Sequence, residues 1–452
     1  MNPCGEDRFG TLVMVPTNSL AASPDIGSLV ISRLTRRIVP FLFVLYIVAY
    51  LDRINVGFAA LQMQQQLHFN DAVYGFGAGV FFAGYFCFQL PSNLILNRVG
   101  ARRWICLLMV IWGVVSCCMI FVTTPKSFYA LRFTLGLAEA GFFPGVILYL
   151  RNWFPAEARA RTVAWFMTAA PLAGVVGGPI SGALLTLHSR GGLSGWQWLF
   201  LMEGLPAILL GAVVVFYLTD SPIDAQWLPA DQREWLMDTL ERERRATSVT
   251  GYSTASRALL SGRIWMLTFM YFGMNTCTYG ISLWLPTVIH SLSGVSSVVI
   301  GLLSAIPYVA AAISMVIVGY HSDRTGERRW HAAILAFIGS AALLGAAYSG
   351  SVVPMIAAIS LAVLAEFSMM GPFWSMPTTL LSGSGAAAGI ALINSIGNLG
   401  GFFGPYVIGK VRLSTGGFKG GLLVVAAAMA FAGCLAALIR LSQPSRVPNT
   451  NH

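Results

Sequence analysis

Residues 38–60 read IVPFLFVLYIVAYLDRINVGFAA, an apolar stretch that contains the acid–base dipeptide Asp52-Arg53 near its end. The stretch is long enough to cross a bilayer, because a membrane-spanning helix needs about 20 residues. A charged side chain at membrane depth costs at least about 2.5–3.5 kcal/mol, and such residues usually line an ion or substrate path. The stretch therefore predicts a membrane span with a functional charged site inside it.

The composition extends this prediction to the whole chain. Hydrophobic residues make up 56% of the sequence and charged residues 10%, whereas a soluble domain carries about 25% charged residues. Apolar runs of spanning length predict twelve helices, numbered here as spans 1 to 12. Their predicted ranges are 36–59, 73–96, 103–122, 127–150, 162–187, 196–218, 264–289, 297–320, 331–349, 352–381, 386–409 and 418–441.

The positions of the basic residues predict the orientation of the spans. The net charge is +10, but most Lys and Arg lie before span 1, in alternate loops and in the C-terminal tail. Few basic residues fall on the other face: Lys126, Arg190, Lys410, Arg412 and Lys419. Because positive charge marks the cytoplasmic side, both termini are predicted to be cytoplasmic. This asymmetry argues against nucleic acid as a partner.

A long polar interruption divides the chain into two halves. Trp235, Leu236 and Leu240 have helical spacing within it, which predicts an amphipathic helix in a cytoplasmic linker. The predicted organisation is a flexible cytoplasmic N-terminal tail (1–35), a six-helix bundle (36–218), the linker (219–263), a second six-helix bundle (264–441) and a cytoplasmic C-terminal tail (442–452).

An internal repeat supports the division. Gly100 after span 2 and Gly326 after span 8 stand in similar motifs 226 residues apart, and Pro179 and Pro405 are separated by the same offset. Residues 137–139 and 364–366 both read Leu-Ala-Glu. Parallel repeats of this kind are typical of transporters built from two halves. We predict an all-α integral membrane fold of two pseudo-symmetric six-helix bundles.

The charged residues of spans 1 and 4 predict an anion site and a proton site. Asp52 and Arg53 are consecutive, so they point about 100° apart on a helix. We expect Asp52 to pair with Arg132, which leaves Arg53 to bind a substrate carboxylate through its bidentate fork. Glu139 has no evident partner in the sequence and could hold a transported proton. The alternative is a buried structural ion-pair network among all four residues.

The second half offers neutral side chains for substrate contacts. Trp374, Asn394 and Asn398 are predicted to bind the hydroxyls or ring of a substrate, and Tyr279 and Trp284 are further candidates. Aromatic residues in membrane helices more often pack or face lipid.

Two other acidic residues fall inside predicted spans. Glu203 in span 6 is interpreted as a packing or gating residue, and Glu366 in span 10 as a possible second proton site. For gating, Asp323 at the end of span 8 could pair with an arginine across the bundle, with Arg98 and Arg324 in the matching loops. A simple positive-inside anchor would explain these arginines equally well.

The cysteines and histidines indicate no cofactor. No zinc-type spacing is present, so the cysteines are interpreted as packing residues. The histidines lie at predicted helix ends, in loops or at the terminus, which makes them poor candidates for a proton relay in the membrane. We predict no metal and no cofactor.

Four motifs carry a resemblance to a known family. They are Leu-Asp-Arg-Ile-Asn at 51–55, Val-Gly-Ala-Arg-Arg-Trp at 99–104, Glu-Ala-Gly-Phe-Phe-Pro-Gly at 139–145 and Gly-Trp-Gln-Trp-Leu-Phe at 195–200. With them the chain resembles the major facilitator superfamily, and within it the anion:cation symporter family. It looks like bacterial permeases for tartrate, phthalate, 4-hydroxyphenylacetate and sugar acids.

The resemblance implies uptake of an organic anion with protons across the bacterial inner membrane, by a chain that acts as a monomer. It implies that Asp52 and Glu139 are protonated in the cycle, that Arg53 holds the carboxylate and that Arg132 supports it. Tyr85 would line the site. Two departures from the family pattern stand out: Asn97 where an acid is usual, and the acid at Glu366.

We therefore predict a secondary transporter that imports a hydroxy acid, sugar acid or aromatic acid by proton symport with alternating access. The alternative is a proton-coupled antiporter that exports a metabolite or drug, since residues 174–182 resemble a glycine–proline motif of such antiporters. A receptor that binds without transporting is a third class. No nucleophile–base constellation indicates an enzyme.

Overall fold

A computed structural model describes residues 26–249, 259–380 and 383–439, which form helices joined by short turns. The spans of the N-terminal half are span 1 (Ile26–Ile54 and Val56–Gln66), span 2 (Asp71–Val99), span 3 (Ala101–Cys118), span 4 (Pro125–Glu139 and Phe142–Trp153), span 5 (Ala156–Met167 and Ala169–Leu184) and span 6 (Gly195–Tyr217).

The linker contains the helix Ala230–Val249, in which Leu236 is fully buried. The spans of the C-terminal half are span 7 (Gly262–Ser293), span 8 (Ser297–Thr325), span 9 (Arg329–Ala347), span 10 (Val352–Leu380), span 11 (Gly383–Asn398 and Gly400–Thr415) and span 12 (Lys419–Leu438).

Ten of these spans, within the described part of the chain, are long and apolar enough to cross a membrane. The other two are spans 7 and 11. Span 7 is long enough but carries polar residues such as Asn275 and Thr278, and span 11 is divided into two helices. The predicted helical fold of twelve spans in two bundles is confirmed.

In several spans the helix bends or breaks a few residues before a proline. Proline cannot donate to the carbonyl four residues earlier. In span 4 the first helix ends at Glu139, and Pro144 follows in the next one. In span 5 the first helix ends at Met167, four residues before Pro171. The breaks lie in the middle of the spans, beside the site described below.

The observed boundaries differ from the predicted ones at the N-terminus. The helix of span 1 begins at Ile26, within the segment predicted to be a flexible tail, because Val30 and Leu34 pack in the core. Residues 1–25 and the tail predicted for 442–452 lie outside the described residues.

The twelve spans define two faces of the bundle. The linker and the described chain ends lie on one face, named here the linker face, and the other is the opposite face. Toward the opposite face the two halves touch. Asp71, the first residue of span 2, pairs with Arg412 near the end of span 11 at 2.8 Å, and the Tyr74 hydroxyl donates to the backbone carbonyl of Leu283 at 2.6 Å.

Helix backbones approach closely at this contact between the halves. A methyl group built on Gly301 of span 8 would lie 2.2 Å from the carbonyl oxygen of Gly178 in span 5. A methyl group on Gly75 of span 2 would lie 2.6 Å from the carbonyl oxygen of Pro405 in span 11. Span 2 therefore meets span 11 as span 8 meets span 5, which is the pairing that two pseudo-symmetric halves produce.

Candidate functional site

A central cavity lies between the halves, and its wall is mainly aromatic and amide side chains. Among its lining residues are Arg53, Tyr85, Tyr279, Trp374, Asn394 and Asn398. Trp374 and Asn394 lie in those parts of spans 10 and 11 that are nearer the linker face. Since the halves touch toward the opposite face, the cavity extends from mid-depth toward the linker face.

Arg53 places a positive charge on the cavity wall and is held from behind by Glu139. Its Nη2 and Nε donate to the same oxygen of Glu139 at 2.9 and 3.2 Å, and its Nη1 donates to the Tyr279 hydroxyl at 3.2 Å. Arg53 is 8% exposed and Glu139 is fully buried. The second oxygen of Glu139 has no hydrogen-bond partner among the described residues. The contacts of Arg53 with Glu139 and Tyr279 therefore join spans 1, 4 and 7.

The predicted pairing of Asp52 with Arg132 is wrong in this structure. Asp52 accepts hydrogen bonds from Asn55 at 3.1 Å and from the Ser116 hydroxyl. Arg132 is fully buried away from the cavity and donates to the backbone carbonyl of Ala78 at 3.4 Å. Asp52 and Arg53 do point to different sides of span 1, as expected. Arg53 is the one that faces span 4, because the packing of the helices, and not the sequence spacing, sets the rotation of span 1 about its axis.

Arg132 and Arg53 both lie against the ring of Phe81. The guanidinium carbons of both arginines lie over the Phe81 ring, at 5.0 Å for Arg132 and 5.5 Å for Arg53. Cation–π contacts of this kind stabilise a cation that is away from water. Arg132 is thus stabilised by the Phe81 ring and, among the described residues, does not belong to those that line the cavity.

Asp52 belongs to a buried polar cluster behind the cavity. Near it, the Ser181 hydroxyl of span 5 donates to Glu203 of span 6 at 2.7 Å. Asp52, Asn55 and Glu203 each keep one oxygen that has no hydrogen-bond partner among the described residues. Unpaired buried oxygens in a membrane protein are costly and typical of functional positions.

The C-terminal half supplies most of the neutral wall of the cavity. Trp374 packs edge-on against Tyr271 with ring centroids 5.1 Å apart. Asn398 donates to the side-chain oxygen of Asn394 at 3.1 Å. Tyr271, Asn275 and other lining residues such as Tyr46 and Thr278 are absent from the sequence-based prediction. Asn275 and Thr278 could have been predicted from the sequence, because they are polar residues in the otherwise apolar span 7.

The predicted gate at the linker face is not formed as expected. Asp323 pairs with Arg328 of its own loop at 2.7 Å, and not with an arginine across the bundle. Arg98 and Arg324 are exposed. The side chain at Asn97 lies outside what the structure describes. Among the described residues, the ion pair that crosses between the halves joins Asp71 and Arg412 at the opposite face. Sequence spacing did not indicate it.

This fold and site define a class of protein. Two six-helix halves that enclose a polar cavity near mid-membrane form a transporter. The chain belongs to the Major Facilitator Superfamily, whose family model matches residues 42–405. The predicted superfamily is confirmed, as is the prediction that the chain is a transporter and not an enzyme.

Three comparisons place the chain among known proteins. It is 48% identical over 427 residues to a protein of Agrobacterium vitis named "Putative tartrate transporter", with 94% of each chain covered. It is 40% identical to the "Quinolone resistance transporter" of Acinetobacter baumannii, covering 89% of this chain and 93% of that one. Its fold matches a bacterial homologue of the human lysosomal transporter Spinster in an inward-facing, occupied conformation (TM-score 0.71, 16% identity, covering 88% of this chain and 95% of that one).

Proposed function

We propose that the chain imports a small organic carboxylate together with protons, by alternating access. The observation that carries the proposal is Arg53, a cation on the cavity wall whose partner, Glu139, can itself be neutralised by a proton. An arginine fork is well suited to a carboxylate. The substrate class agrees with the name of the Agrobacterium vitis relative, since tartrate is a hydroxy acid.

The proposed coupling is a competition for Arg53. In this structure Glu139 holds the guanidinium. A proton on Glu139 removes its negative charge and weakens that pair, so that Arg53 can turn its donors toward a substrate carboxylate. Substrate and proton then bind together, because each makes the site more favourable for the other. With one proton on Glu139 and one carboxylate on Arg53, the loaded site has the same net charge as the ion pair alone. A carboxylate bound without the proton would add an uncompensated negative charge and disfavour passage through the membrane.

Asp52 is proposed as a second proton-coupling residue of the N-terminal half. It adjoins Arg53 in the chain and lies in the buried cluster with Asn55 and Ser116. Arg132 is close enough to Asp52 and Glu139 to interact with both carboxyls electrostatically. We propose that it limits how much negative charge the site develops when protons leave.

The neutral wall is proposed to select the rest of the substrate. Tyr85 and Trp374 offer ring faces, while Asn394 and Asn398 offer amide groups for hydroxyls. This combination suits a hydroxy acid, a sugar acid or an aromatic acid. Small-molecule sites typically combine an apolar surface with a few convergent polar groups.

The orientation follows from the basic residues. We propose that the linker face is cytoplasmic, because it carries most of the lysines and arginines. Both termini would then be cytoplasmic, in the inner membrane of a bacterium, and the monomer would be the transporting unit. The cavity would open inward in this conformation, and the gating roles of Arg98, Asp323 and Arg324 would belong to the conformation closed at the linker face.

A second candidate is proton-coupled export. It is favoured by the relative from Acinetobacter baumannii, whose name concerns quinolone resistance. Quinolones also carry a carboxylate, so an Arg53 site alone does not separate the two directions. The direction of net movement under a proton gradient does.

The test is uptake into proteoliposomes under an imposed pH gradient. The panel is tartrate, a sugar acid, phthalate and 4-hydroxyphenylacetate, with the wild type beside Arg53→Gln. We expect accumulation of one acid when the outside is acidic and its loss with Arg53→Gln. Arg242→Gln is the matched control, because this arginine lies on the linker helix with its side chain 66% exposed.

Two variants separate binding from folding. Arg53→Gln leaves Glu139 buried without its cation, so the double variant Arg53→Gln/Glu139→Gln keeps the site neutral. We expect the double variant to fold and still not accumulate the acid. Full transport by the double variant would contradict the carboxylate site. Loss of substrate from proteoliposomes with the wild type, driven by the same pH gradient, would support export.

A further inference from the structure

We infer that Glu366 of span 10 is a proton-binding site in the C-terminal half, and that its proton is carried with the substrate. The inference rests on the proposed proton symport. It adds a site to the half that otherwise presents only neutral side chains to the cavity.

Glu366 is buried without a partner. It is 1% exposed, and neither of its carboxyl oxygens has a hydrogen-bond partner among the described residues. The Thr278 hydroxyl is nearby, but it donates to the backbone carbonyl of Met274 at 3.0 Å. An ionised carboxyl in such a place is strongly unfavourable, because among the described residues no cation, and at most the Thr278 hydroxyl, replaces the water it loses. The protonated carboxyl is the form that this site accommodates.

The groups that face Glu366 supply no balancing charge. Tyr50 of span 1, Cys277 of span 7 and Tyr308 of span 8 are close enough to interact with it electrostatically. All three are neutral side chains. Span 9 presents Gly339 to Ala365, the neighbour of Glu366. Within the described part of the chain, a proton is therefore the cation available to neutralise this acid.

The internal repeat explains why the acid lacks a base. Glu366 occupies the position of Glu139 in the second Leu-Ala-Glu motif. The counterpart of Arg53, 226 residues on, is Tyr279. The C-terminal half thus keeps the acid of the pair and replaces the arginine by a tyrosine. In the N-terminal half Glu139 has the guanidinium as its counter-ion, whereas Glu366 has the proton alone.

A route to water runs through the central cavity. Thr278, whose hydroxyl is near Glu366, lines the cavity. Phe367, which follows Glu366 in the sequence, also lines the cavity. The carboxyl is thus separated from the cavity by one layer of side chains. Movement of span 10 against span 7 would expose it to cavity water, and Glu366 could then exchange its proton.

The first experiment is the equilibrium accumulation of substrate in proteoliposomes, with the membrane potential clamped at zero. At equilibrium each coupled proton multiplies the accumulation ratio about tenfold per unit of pH difference. We expect Glu366→Gln, which imitates the protonated acid, to accumulate about tenfold less than wild type across one pH unit. The ratio is an equilibrium quantity, so a slower variant still reports it. Glu327→Gln, at a half-buried acid in the loop after span 8 that does not line the cavity, is the control and should match wild type.

The outcomes separate this inference from the proposed function. If wild type does not couple transport to protons, the symport proposal fails. If wild type is coupled and Glu366→Gln reaches the same accumulation ratio, the symport holds and the Glu366 site is overturned.

A second measurement tests the site without requiring that the variant transport substrate. The infrared band of a protonated carboxyl is recorded on purified full-length protein in lipid, before and after exchange into deuterated water. We expect a protonated-carboxyl band that Glu366→Gln lacks and Glu139→Gln retains. An identical spectrum for wild type and Glu366→Gln would overturn the site, whatever the transport result.

Discussion

Arg53 donates a hydrogen bond to the hydroxyl of Tyr279, and the two residues are 226 positions apart, the offset of the internal repeat. Gly57 and Leu283, which share this offset, also touch: a methyl group on Gly57 would lie 2.9 Å from the Leu283 carbonyl oxygen. Spans 1 and 7 therefore meet at the pseudo-two-fold axis, with the cavity beside them. The symmetry applies to the backbone, while the charges differ between the halves.

The first prediction concerns the acid behind Arg53. In wild type, low pH should strengthen substrate binding, since a proton on Glu139 releases Arg53. Glu139→Gln should bind substrate more tightly than wild type at high pH, and its affinity should depend less on pH, because only the protons proposed at Asp52 and Glu366 remain linked to binding. It should still exchange substrate across the membrane, but pH-driven accumulation should fall by about tenfold per pH unit.

Substrate affinity measured across a pH series, by calorimetry on purified protein, checks this expectation. Glu327→Gln should keep the wild-type dependence on pH. A Glu139→Gln protein whose affinity falls with rising pH as steeply as that of wild type would place the controlling proton elsewhere.

The second prediction concerns the tyrosine at the pseudo-two-fold axis. Tyr279→Phe removes the hydroxyl that holds one arm of Arg53 and preserves the ring. A hydrogen bond of this kind contributes about 1 kcal/mol, so substrate affinity should weaken about fivefold. The number of coupled protons should not change. Tyr320→Phe, at an exposed position, is the control in the same binding assay, and a Tyr279→Phe protein with unaltered affinity would remove Tyr279 from the site.

The third prediction concerns the ion pair between the halves. Asp71 and Arg412 have side chains that are each 22% exposed, so their pair should contribute about 1 kcal/mol to closure at the opposite face. Asp71→Asn should increase the population open at that face about fivefold. Spin labels at Thr123 and Ser351, in exposed loops of the two halves, would report longer distances.

A charge swap tests whether the effect comes from the pair. Asp71→Arg combined with Arg412→Asp should return the distances toward those of the parent protein. Distances that stay long in the swapped protein would assign the effect to other contacts of these residues, such as that of Arg412 with the Phe418 ring.

The fourth prediction concerns the close approach of spans 5 and 8. Gly301→Ala would place a methyl group against the Gly178 carbonyl, where only a shift of the two backbones can make room. We expect loss of closure at the opposite face and at least a tenfold loss of uptake, with destabilisation of about 1–3 kcal/mol. Gly345→Ala meets open space and should be neutral or slightly stabilising. Equal melting temperatures and uptake in both variants would contradict the tight contact.

Hydropathy and the repeat were sufficient to predict the architecture. Apolar runs give the number of spans, and the repeat gives the halves. Among the predicted substrate-binding residues, five line the cavity: Arg53, Tyr85, Trp374, Asn394 and Asn398. Polar residues in apolar helices tend to face a cavity, which is why composition found them. Their roles remain predictions.

Pairing could not be predicted in the same way. Whether Arg53 or Asp52 faces Glu139 depends on a helix rotation of about 100°, and that rotation is decided by the packing of several spans. The Arg132 position shows the same limit, since its guanidinium packs over the Phe81 ring and does not line the cavity. The ion pair of Asp71 with Arg412 joins residues 341 positions apart, and no local pattern links them.

The glycine contacts between the halves have a consequence for the rate of conformational change. Where Gly178 meets Gly301 and Gly75 meets Pro405, the touching atoms belong to helix backbones. Such a contact has no side-chain rotamers to reorder when it separates, and its polar groups remain bonded within their own helices. The speed of opening should then depend on how fast lipid chains and water fill the gap. Acyl-chain length and membrane fluidity would set the turnover of this protein more strongly than any single side chain in the contact.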